Sequence, residues 1–177
     1  MFEFIKDFAR KQALKKNASK EPTGITPIDQ IRSAVAFINV EDTSFDLCKD
    51  AILAFYREHG IKGEIFFFDF RKIGSEERLI TSITTTVLRR DLNWFGRPNR
   101  EKIDLMLNTN ADLFISLIKG TEFPIEFMAK CSRAKFKIGR EQLPGGTFDL
   151  VVADSPEKAF SQAEVFREIK KYLAKIG

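Results

Sequence analysis

The chain has 177 residues, 44% apolar and 31% charged, with a net charge of +4. That is the composition of a soluble globular domain large enough to bury a sizeable core, and no apolar run approaches the roughly 18–20 residues of a membrane span. Of 29 basic and 25 acidic residues, six cations and two carboxylates lie in residues 1–20, so the remainder carries 23 of each and is neutral. The excess charge therefore belongs to one terminal segment. A neutral body argues against nucleic acid as a partner.

Met1 to about Lys16 reads as an amphipathic helix, with Phe4, Ile5, Phe8 and Ala9 on one face and basic residues opposite. The expectation is that the phenylalanine face docks on the domain and the basic side is solvated. A membrane-surface or partner-binding helix is the alternative. The segment has no signal-peptide core, and a cytoplasmic protein is expected. Residues 17–28, punctuated by Pro22, Gly24 and Pro27, read as a linker, dividing the chain into a helix with linker (1–28) and a single α/β domain (29–177).

Ser33 to Val40 reads as the first strand, and a helix follows from about Phe45 to His59. Thr43 or Ser44 is placed to cap that helix, and Gly60 to end it. Gly63 to Phe70 is a second strand. The β-branched run Ile83 to Arg90 is a third, after a connection in which SEER (75–78) has room for one turn. That connection, about ten residues, is short for a helical crossover, so an antiparallel hairpin is expected there. A loop, DLNWFGRPN (91–99), leads to a helix from about Arg100 to Leu107.

Ala111 to Gly139 then writes out a strand–helix–strand unit. Leu113 to Ile118 is apolar on both faces, Gly120 turns, Pro124 opens a helix, and Phe136 to Ile138 ends at Gly139. A run apolar on both faces needs cover on both sides, as in a parallel sheet. Phe148 to Val152 is the last strand. Ser155-Pro156-Glu157 carries helix-start signals for a final helix reaching about Lys175, with Phe160, Ala163, Phe166, Ile169, Leu173 and Ile176 inward. The whole is a three-layer, Rossmann-like α/β domain with a mainly parallel sheet of five or six strands.

The first strand-to-helix turn, NVEDTSF, has no glycine and presents Glu41 and Asp42 where a phosphate would sit, which opposes a dinucleotide site. No P-loop pattern occurs. Ligand candidates are the strand-end residues Asp42, Lys119 and Asp154 and the loop residues Asp91, Asn93, Trp94 and Arg97, where cations and aromatics alternate. Converging carboxylates, with Asp69 a further member, could hold Mg²⁺; no other cofactor is indicated. The lone histidine, His59, sits at a helix end, and Cys48 and Cys131 read as buried apolar groups with no partner at ligand spacing.

Two passages, DLNWFGRPN and ADLFISL…FPIEFMAKCSRAKFKIG, resemble a family of uncharacterised bacterial proteins of about this length, which implies a fold and no activity. Locally, DLFISL followed by a helix and SRAKFKIG is similar to a unit of heptosyltransferase-like glycosyltransferases, which implies topology and no catalytic residues. The reading reached is a binding or protein-interaction module without a recognisable catalytic centre, able to pair with a protein partner or a second copy. The alternatives are a nucleotide- or phosphosugar-binding domain and an RNA-associated protein using the basic helix.

Overall fold

The structure is a computed structural model that describes residues 1–72 and 80–176. Six strands form one sheet: β1 (Ser33–Asn39), β2 (Lys62–Asp69), β3 (Thr86–Leu88), β4 (Leu113–Ser116), β5 (Phe136–Gly139) and β6 (Leu150–Val151). The helices are α1 (Phe2–Asn17), α2 (Phe45–Glu58), α3 (Arg100–Asn108), α4 (Phe123–Cys131) and α5 (Gln162–Lys175). Strand order is β3-β2-β1-β4-β5-β6 and every pairing is parallel, with Phe37 opposite Phe66 and Ala36 opposite Ile115. This is the order of the doubly wound nucleotide-binding sheets.

Because successive side chains point to opposite faces, each central strand feeds two cores. Ala34, Ala36, Ile38, Leu113 and Ile115 pack under α2 and α5. Val35, Phe37, Phe66, Phe68 and Phe114 pack on the other side with Ile103 and Met106 of α3 and Phe127 and Met128 of α4. The phenylalanine-rich composition is concentrated there: the Phe37 ring lies 4.8 Å from Phe68 and 4.7 Å from Phe114, tilted or edge-on. Cys48 and Cys131 are free thiols in cores on opposite faces of the sheet, so no disulfide joins them.

Three expectations are corrected. The segment at 83–90 is not a hairpin partner: β3 is only Thr86–Leu88 and runs parallel to β2. The strand begins three residues later than the β-branched run, so the connection from β2 is longer than the sequence suggested. The SEER turn at 75–78 lies outside the described residues. The ten-residue connection 140–149 joins the parallel pair β5 and β6 without a helix, because β6 has two residues and needs little reach. Helix α5 opens at Gln162, not at Ser155: its cap is Ser161, whose Oγ accepts from Glu164 N while the Glu164 carboxylate accepts from Ser161 N. Ser155 instead bridges to Lys158 in a tight turn.

The third correction concerns α1. Phe4, Ile5 and Phe8 face solvent, and the docked side carries Ala13, buried, with Arg10 and Leu14 beside it. The main packing partner of α1 is α4, and the chain beyond it is tied down by Ser19 N donating to Lys130 O. No described helix is long and apolar enough to cross a membrane.

Candidate functional site

In an open parallel sheet the loops on either side of the point where the strand order reverses turn away from each other and leave a crevice at the carboxyl ends of the strands. Here that point lies between β1, which leads through α2 to β2, and β4, which leads through α4 to β5. A pocket of about 510 Å³ occupies it. Its apolar wall includes Phe68, Ile118 and Phe123; its charged groups are Arg10, Arg89, Lys119, Glu41 and Glu122. The opening turn of α4, Phe123 to Ile125, also borders it, so the positive end of a helix dipole meets the pocket.

Both arginines are positioned by backbone carbonyls. Arg10 Nε donates to Phe95 O at 2.7 Å, and its guanidinium lies over the Phe123 ring at 4.9 Å. Arg89 Nε donates to Phe70 O. A guanidinium held through Nε keeps its fork oriented, which prepares it for a bidentate carboxylate or phosphate. Lys119 is anchored by Asp154, Nζ to Oδ2 at 2.8 Å. Asp154 also accepts from the buried Arg140, which in turn donates to Leu117 O and Phe160 O. Partial burial pushes the Asp154 carboxyl up, but the hydrogen bonds from Lys119 and Arg140 outweigh it and hold the group at about 2.

The residues singled out in the sequence are dispersed. Lys119 and Asp154 meet as an ion pair, and of the seven only Lys119 lines the pocket. Asp42 serves the packing of two helices: its Oδ1 accepts from Ser44 N and Oγ, and its Oδ2 from Gln162 N. Ser44 does not cap its own helix; its hydroxyl accepts from Ala163 N of α5. Asp91 accepts from Leu88 N, and Asn93 Oδ1 accepts from Phe95 N and Arg97 N, closing the 91–99 loop as a compact turn with Gly96 at φ +93°. Arg97 lies 5.9 Å from the Phe95 ring, and its buried Nε has no hydrogen-bond partner among the described residues. Trp94 is exposed. The strand-end acids do not converge: Asp69 is engaged by Arg71 in a two-pronged ion pair, and among the described residues no group of three metal-ligating side chains gathers.

Arg10 was missed because it lies 23 residues before the first strand, on a helix whose docking cannot be read from its own pattern. Lys137 was missed as well. It is buried, with Nζ donating to Ala129 O at 2.8 Å, and burial pushes its ammonium down to about 8. Burial pushes both thiols up to about 12, so Cys48 and Cys131 are protonated at neutral pH.

The fold and the crevice together define an open, doubly wound α/β protein with a cation-bearing pocket at its switch point. The chain belongs to a family of unknown function, DUF6913, which it matches over residues 6–176. No curated protein and no solved structure matches it.

Proposed function

We propose that this protein is a non-catalytic binding module that seats a small anionic molecule in the switch-point pocket. The observation that carries the reading is the pair of arginines, Arg10 and Arg89, fixed by backbone carbonyls at a crevice that also receives the opening turn of α4. A phosphate or carboxylate would lie between the guanidiniums and the helix end, and an apolar or planar portion against Phe68 and Phe123. Glu41 would accept from a hydroxyl and select against a second anionic group. Nucleotides and sugar phosphates satisfy these demands.

The test is a thermal-shift screen with nucleotides, nucleotide sugars and sugar phosphates, with and without Mg²⁺. A ligand at about a hundred times its Kd stabilises by roughly 2.7 kcal/mol, and for a chain of this size each kcal/mol moves Tm by about 2–4 °C, so a rise of about 5–10 °C is expected. Arg89→Ala should abolish the rise while its own unliganded Tm stays close to that of the parent. A flat screen, or a rise that survives both Arg89→Ala and Lys119→Ala, overturns the proposal.

A further inference from the structure

The outward face of α1 changes character halfway along. At about 3.6 residues per turn, Phe4 and Phe8 lie on the side opposite the buried Ala13, with Met1 and Ile5 toward one edge, and the same side continues as Lys11 and Lys15, with Gln12 and Lys16 toward that edge. The apolar half is bare: Phe4 is 75% exposed and Phe8 57%. Phe2, on the Ala13 side of the helix yet itself exposed, leans on Trp94 with ring centroids 6.1 Å apart, and Trp94, itself 54% exposed, stands edge-on to Phe95 at 5.2 Å. The helix has no tryptophan of its own, and the 91–99 loop supplies one in space. The result is an aromatic tip made of the first two turns of α1 and Trp94, followed along the helix by Lys11 and Lys15 on the outward side and Lys16 at its edge. It is held in place by the Arg10 bond to Phe95 O and by the burial of Ala13.

A contiguous apolar patch rimmed by cations marks an interaction surface. We infer that its occupant is an anionic lipid surface. Phe4, Phe8 and Trp94 enter the boundary between headgroups and acyl chains, where indole rings are enriched, and Lys11, Lys15 and Lys16 lie against lipid phosphates. Charge complementarity favours this over a second copy. A two-fold pairing of this face sets its lysines against the same lysines or against phenyl rings, and the only carboxylates of the helix, Glu3 and Asp7, flank the face. An anionic bilayer supplies both the apolar layer and the counter-charge in the order in which the helix presents them.

Trp94 is the only tryptophan in the chain, so its emission reports directly on the tip. The full-length protein is titrated with vesicles of phosphatidylcholine alone and of phosphatidylcholine mixed with phosphatidylglycerol. A blue shift, with co-sedimentation, is expected for the phosphatidylglycerol vesicles only. Each surface cation contributes about fivefold to partitioning, so a Lys11→Gln, Lys15→Gln, Lys16→Gln variant should bind on the order of a hundredfold more weakly. A Phe4→Ser, Phe8→Ser variant should lose the shift while keeping the parent's Tm, which separates loss of docking from loss of fold. An unchanged emission with both vesicle types overturns the inference, as does binding of equal strength to both. So does a dimer in sedimentation equilibrium that the Phe4→Ser, Phe8→Ser variant dissociates without any vesicle binding by the parent; the face then belongs to a second copy.

Discussion

Helices α1 and α5 stand at opposite ends of the chain and look alike in sequence: each is amphipathic and lysine-bearing, with phenylalanine among its apolar residues. In the structure they behave in opposite ways. Helix α5 buries Val165, Phe166, Ile169 and Leu173 against α2 and the sheet, and enters through a capping box. Helix α1 buries only Ala13, has no side-chain cap, and leaves Phe2, Phe4 and Phe8 in solvent. The difference lies in what is free to receive them. On α5's side, α2 alone covers part of the sheet, and Ile38, Ile115 and Ile138 need a second helix. On α1's side α3 and α4 already cover the phenylalanine core, so α1 can only lie across α4. An amphipathic pattern shows that a stripe exists; the vacancy beside it decides whether the stripe becomes core.

The sharpest way to break this contrast is at the buried end. Phe166 is fully buried and packs edge-on against Phe55 at 5.6 Å. Phe166→Ala should lower the unfolding free energy by about 3–5 kcal/mol, the cost of removing a buried phenyl ring and leaving its cavity. Urea denaturation measures it, and a loss below about 1 kcal/mol would mean that α5 is no better seated than α1.

A smaller effect should come from the entry to α5. Arg140 ties Asp154 and Phe160 O together just before that helix begins. The Asp154 carboxyl is held at about 2, below its ordinary 3.8, so the folded state binds its proton less readily than the unfolded chain. Its contribution is therefore fully present above about pH 4 and lost as the pH falls toward 2. Discounted for solvent at the rim, the amount is about 1–2 kcal/mol. Asp154→Asn should flatten that part of the acid limb in denaturation curves recorded between about pH 5 and pH 2. An unaltered limb would remove the ion pairs from the account of how α5 is anchored.

Most of the sheet was legible because buried parallel strands are written as continuous apolar runs, and 34–38, 65–68 and 113–115 are such runs, with Phe136 and Ile138 flanking Lys137 in a fourth strand. The weak edges were not. The three residues of β3 and two of β6 carry almost no pattern, and their direction follows from connections whose needs scale with strand length. The 162 start of α5 was obscured by Ser155-Pro156-Glu157, local start signals that the tertiary structure spends on a turn. The pocket was the least legible feature. Its cations come from positions 10, 89 and 119, brought together by the docking of α1 and by carbonyl anchors that have no signature in sequence. Asp42, a candidate on position alone, is occupied in joining α2 to α5.

The least disruptive substitution bears most directly on α1. If the phenylalanine face were core, as its periodicity predicts, Phe8→Ala would cost as much as Phe166→Ala. With Phe8 exposed, the ring has few contacts to lose, and surface substitutions away from caps and buried networks stay within about 0.5 kcal/mol. Alanine is also the better helix former, which offsets part of even that loss. Equilibrium denaturation of Phe8→Ala beside the parent, at a protein concentration low enough to keep any self-association out of the measurement, should therefore give superimposable curves. A loss of about 2 kcal/mol or more would place Phe8 against the body of the protein and make α1 a second α5.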